Sequence, residues 1–142
     1  MATFNHFNTF ADLLAEKVHD LNAAGDTCKV ALTDTAPIAT NTIFANITEI
    51  GAGNGYTAGG EDAQNDWSET GGTGTMTGVD VVWTAAGGSI GPFRYVVLYN
   101  DTPVAPVDPL IGWWDRGSSV TLLDTETFTV DFGASVLTIA GV

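Results

Sequence analysis

From Cys28 onward the chain is written in short runs of β-branched and aromatic residues separated by Gly, Pro, Asn and Asp, and this punctuation restricts the fold more than any other feature. Parallel α/β architectures need an amphipathic helix between successive strands, and no helical period occurs after Cys28. Rossmann and TIM-barrel folds are therefore excluded. The runs predict strands at Cys28–Thr33, Thr42–Ile50, Trp67–Thr70, Thr75–Thr84, Phe93–Asn100, Leu110–Asp115, Ser118–Leu123, Thr127–Phe132 and Val136–Ala140. Val79, Val81 and Trp83 alternate with Asp80, Val82 and Thr84, and Phe128, Val130 and Phe132 with Thr127, Thr129 and Asp131, giving each strand one dry face. Phe93–Tyr99 has no polar face apart from Arg94 and reads as a central strand covered on both sides.

One helix precedes this β region. Phe10, Leu13, Leu14, Val18 and Leu21 form a single stripe at helical spacing, predicting a helix over residues 9–22 with Thr9 as its cap and Gly25 as its stop. Ahead of it, Phe4, His6 and Phe7 make an aromatic arm that either folds back on the helix or reaches to a partner. The expected architecture is all-β with one N-terminal helix, an antiparallel, jelly-roll-like β-sandwich. It divides into an arm and helix at residues 1–25 and a sandwich at 26–142, within a single domain.

Charge narrows the partners. Seventeen Asp and Glu face four Lys and Arg, for a formal net charge of -13, so phosphate backbones and anionic headgroups are repelled. Neither nucleic acid nor a membrane is expected as a partner. The mean hydropathy of +0.16 is too high for a disordered acidic tail. No leader-like segment and no long apolar span is read in the sequence, which points to synthesis in a cytoplasm. Cys28 is the only cysteine and reads as a small buried residue at a strand start.

Chemical motifs are weak. Gly87-Gly88-Ser89-Ile90-Gly91 matches the nucleophile-elbow pattern, but a strand rather than a helix follows it, and both histidines, His6 and His19, precede the serine. His19 reads as a surface residue of the helix. Two histidines and one cysteine do not make a zinc set. Gly51-Ala52-Gly53-Asn54-Gly55 lacks the helix and lysine of a phosphate cradle, and Glu61, Asp62 and Asp66 lack the order of a calcium loop. Asp101, Asp108 and Asp115 are the carboxylates available for a glycosidase-like pair. No enzyme activity, metal or cofactor is expected.

Two blocks carry a resemblance. Ala31-Leu32-Thr33-Asp34-Thr35-Ala36-Pro37 runs on through Asn46-Ile47-Thr48-Glu49-Ile50 to Gly53-Asn54-Gly55-Tyr56-Thr57-Ala58-Gly59-Gly60. Gly88-Ser89-Ile90-Gly91-Pro92-Phe93-Arg94-Tyr95 runs on through Asp108-Pro109-Leu110-Ile111-Gly112-Trp113-Trp114-Asp115. Together they resemble small structural proteins of tailed bacteriophages, and the resemblance covers most of the chain, least clearly from Glu61 to Gly74. It implies a virion component on the capsid exterior, a cement or decoration protein that binds the major capsid protein and self-associates into dimers or trimers. Contact residues are then expected in the Phe4, Phe7 arm, in the glycine-rich loop at Asn54 and Tyr56, and in the proline-rich loop at Pro103 and Pro106. Trp113 and Trp114 are adjacent and must face opposite ways, so one is expected in the core and the other exposed or shielded by a loop or subunit. An exposed tryptophan beside Asp115 is also the basis of an alternative, a tail or fibre component that binds host-surface glycans.

Overall fold

A computed structural model describes residues 2–140 of the chain. Its centre is a long antiparallel hairpin of β7 (Ile90–Asn100) and β8 (Leu110–Leu122), in register at Val96 with Trp114 and Val97 with Trp113. β2 (Cys28–Thr33) flanks β7, β3 (Glu61–Asp62) lies outside β2, and β1 (Phe4–His6) pairs with β8. The sheet order is β1-β8-β7-β2-β3, so the apolar β7 is internal, as its lack of a polar face predicts. The two strands expected at Leu110–Asp115 and Ser118–Leu123 are one. Pairing steps from Tyr95 with Asp115 to Phe93 with Val120, and the exposed residues 116–119 bulge out between them, Gly117 taking a left-handed φ of +99°.

The second layer consists of two small sheets. β4 (Asp66–Thr70) and β5 (Thr73–Thr77) form a hairpin with β10 (Leu137–Ala140) added on β5, while β6 (Val81–Thr84) pairs with β9 (Thr127–Val130). Val30, Leu32, Val96, Leu98, Ile111 and Trp114 of the five-stranded sheet share one core with Met76, Val81, Trp83, Val130, Phe132 and Leu137 of the other layer. The result is an antiparallel β-sandwich with one helix. The strand orders, five, three and two, do not by themselves establish a jelly-roll path.

Residues 78–80 interrupt the strand expected over Thr75–Thr84 because the chain crosses there from one small sheet to the other. Val79 N donates to the carbonyl of Ala63 and Phe132 N to the Asp80 carboxylate. Val79 therefore stands 53% exposed outside the alternation, while Val81 and Trp83 are buried and Val82 is exposed.

Two further expectations are corrected. The segment Thr42–Ile50 is not a strand. Asn46 Oδ1 accepts from the amides of Thr42 and Ile43, fixing a 3-10 turn at Phe44–Asn46. That turn caps the outer face of the five-stranded sheet. Phe44 stacks on Tyr99 at 4.1 Å, and Ile47 joins it over a second cluster of Phe7, Ala31, Val97, Tyr99 and Leu110.

The helix, α1 (Thr9–Ala15), is also shorter than its apolar stripe predicts. Lys17 turns left-handed at φ +64°, and Leu21 reaches the core from the loop that follows. Asn8, not Thr9, holds the N-cap position, and Thr9 Oγ1 is buried without a partner. Because β1 is a strand of the main sheet, residues 2–25 are integral to the sandwich; residues 1, 141 and 142 of the expected ranges lie outside the described part.

Candidate partner-binding surface

The residues expected to meet a partner separate into those that the fold consumes and those that it presents. Phe7 is fully buried against Trp113, with ring centroids 4.6 Å apart, and its amide donates to Ile111 O. Phe4 packs on Trp114 at 5.0 Å. Gly112 makes this docking possible, since a Cβ there would stand 2.2 Å from the Phe4 ring and 2.6 Å from Asn5 O. The aromatic arm is thus folded back, and Phe7 is core rather than contact surface.

Tyr56 is likewise internal. Its hydroxyl accepts from Leu32 N at 3.0 Å and donates to Glu49 Oε1 at 2.8 Å, and Gly59 N donates to the same carboxylate oxygen. Tyr99 Oη donates to Gly59 O, so two buried tyrosines and one glutamate clamp the glycine-rich loop onto the sheet. Burial pushes both tyrosine hydroxyls up, which keeps them protonated donors. Gly60 lets the loop pass this close, with φ +78° and space for a Cβ only 1.8 Å from Val30 O. Asn54 is exposed, and its side chain donates to Ser89 O, tying the loop to the turn that leads into β7.

The two tryptophans diverge as their adjacency requires. Trp114 enters the inter-sheet core, and Trp113 lies half-buried on the outer face against Phe7. Neither stands as the open aromatic platform on which the glycan reading rests. The carboxylates do not converge either. Asp115 is held by Arg94 through paired contacts of 2.8 and 2.9 Å, and by the Gly117 amide, which keep its carboxyl below the usual range. Asp101 and Asp108 lie instead on the 101–109 connection at the turn of the hairpin, whereas Asp115 pairs with Tyr95 midway along it. Among the described residues no group of three or more His, Cys, Asp or Glu is arranged to hold a metal ion.

His19 is not a surface residue. It is 6% exposed, with Nδ1 3.1 Å from Asn100 Nδ2 and Nε2 without a partner, and burial lowers its pKa to about 4. Asn100 Nδ2 also donates to Asp26 at 2.7 Å, closing a polar knot at the base of the 101–109 loop. Cys28 is buried and free, and burial pushes its thiol up.

Of the expected residues, Asn54 and the 101–109 loop are what the fold presents. Pro103 and Pro106 are half-buried and frame a tip on which Val104 is 86% and Val107 49% exposed. The two valines form an antiparallel bridge with each other, which puts their side chains side by side on one face. The proline content marks this loop in the sequence but does not single out its valines. The available signal was two valines, three residues apart, in a loop with no periodic partner. Elsewhere, a groove of about 710 Å³ lies between the N-terminal segment and β10, lined by Phe4, Phe10, Leu14, Val136 and Ile139.

Comparison with protein-family models, with curated proteins and with solved structures finds no match to this chain.

Proposed function

We propose that the chain is a cement or decoration protein of a tailed-bacteriophage capsid, seated on the outside of the shell and bridging neighbouring major capsid protein subunits. The observation that carries this reading is the exposed apolar tip at residues 101–109, raised on the central hairpin of a tightly packed sandwich. Val104 is 86% and Val107 49% exposed, and a second surface is what would bury the apolar area they leave open. The sequence blocks that resemble phage structural proteins supply the kind of surface. A formal charge of -13 keeps free copies apart and away from packaged DNA. Copies then sit on the shell as dimers or trimers at its symmetry axes, and many modest contacts sum to a stabilised head.

The test is co-sedimentation of the purified protein with heads that lack it, with the copy number counted by gel densitometry. Hundreds of copies per head, together with a raised rupture temperature, support the reading. A dozen copies or fewer, or an unchanged rupture temperature, refute it.

A further inference from the structure

The chemistry around the tip defines what it fits. Val104 and Val107 stand side by side, and the chain enters and leaves them through Asp101 and Asp108. Asp26 reaches the base of the loop through Asn100, and Asp62 lies opposite Lys29 in the β2–β3 register. Lys29 Nζ, 2.8 Å from Asp101, is the cation that these contacts bring to this end among the described residues, so Asp26, Asp101 and Asp108 gather at the loop base against one ammonium, with Asp62 across from it on the outer strand. Partial burial first, and then the neighbouring Asp101, push the Asp108 carboxyl up, against the opposing charge of Lys29.

From this arrangement, and resting on the capsid reading above, we propose that the tip docks into a shallow apolar pocket with a basic rim on the shell subunit. Val104 and Val107 fill the pocket, and Asp101 and Asp108 face lysine or arginine side chains around it. The acidic collar serves recognition: it steers the tip to a cationic rim and disfavours insertion of the tip into another copy of this acidic chain. The apolar knob is small, so affinity for one subunit is modest, and tight retention on a head comes from several contacts made at once.

The experiment measures binding isotherms of the full chain on heads lacking it, at low and high sodium chloride. The tip variant Val104→Ser/Val107→Ser is compared with Val79→Ser/Val82→Ser, which alters two valines, 53% and 55% exposed, in and beside β6. All four positions are solvent-facing, and unchanged circular dichroism confirms the fold of each variant. The tip variant is expected to bind at least about tenfold more weakly, from the apolar area that it no longer buries. The β6 variant is expected to stay within about twofold of wild type, as surface changes away from a contact do. Wild-type binding is expected to weaken as salt rises, and Asp108→Asn, which tolerates the φ of +46° at that position, to flatten that dependence. A tip variant that binds like wild type, equal losses in both valine pairs, or binding that strengthens with salt overturns the inference while leaving the capsid reading standing. Failure of the wild-type chain to bind heads at all overturns the capsid reading and the docking geometry with it.

Discussion

Phe7→Ala separates an N-terminal strand that belongs to the core from an arm that waits for a partner. Phe7 is fully buried among Ala31, Val97, Tyr99 and Leu110, with Trp113 against its ring. Truncating a phenylalanine in such a site costs about 3–5 kcal/mol, the sum of lost transfer energy and the cavity left behind. The upper part of that range applies, because β1 has only three residues and Phe7 anchors the end nearest the helix. A domain of this size is stable by about 5–15 kcal/mol, so about a quarter or more of the total is at stake. With a urea slope of roughly 2 kcal/mol per molar, the midpoint should fall by about 2–2.5 M. Urea titration followed by tryptophan fluorescence measures this directly, since Trp113 and Trp114 lie beside β1. Phe7→Leu, which retains most of the volume, should lose about 1 kcal/mol. A loss below about 1 kcal/mol for Phe7→Ala would refute the argument and mean that β1 is undocked in solution.

Two other predictions follow from buried polar groups. Tyr56→Phe removes the donor to Glu49 and the acceptor of the Leu32 amide, and should cost about 1–3 kcal/mol in the same titration while exposing the 51–60 loop to faster proteolysis; unchanged stability and cleavage would show that the clamp is idle. His19 is held neutral in the folded chain, with a pKa of about 4 against 6.5 when exposed, so on acidification the unfolded chain binds the proton first. Its contribution is whole above about pH 6.5 and is lost as the pH falls toward 4, by about 2 kcal/mol at pH 5, and His19→Asn should remove that part of the slope. An identical acid profile for the two proteins would rule His19 out as its cause.

The strands that were legible in the sequence are those whose pattern is local. Cys28–Thr33 and the Val81, Trp83 and Phe128, Val130 alternations declare a β period within a few residues, and the lack of a polar face on Phe93–Tyr99 announces an internal strand. Hydrophobicity states that a side chain will be buried, not against what. The stripe from Phe10 to Leu21 predicts a continuous helix, yet the left-handed turn at Lys17 lets His19 and Leu21 be buried from a loop. Thr42–Ile50 has the composition of a strand, but Asn46 takes the amides a ladder would need, and the segment becomes a lid over Tyr99.

The candidate surface divides in the same way. The sequence by itself determined the strand-rich antiparallel character, the acidity, and the opposite facing of Trp113 and Trp114, because each depends on composition or on neighbours in the chain. Tertiary structure alone decided that Phe7 and Tyr56 are spent inside the protein while Val104 and Val107 are not. The physical reason is that exposure belongs to the packed whole. A valine between two prolines carries the same hydrophobicity as one in β2, and only the closing of the sheets determines which of them finds a partner within the chain.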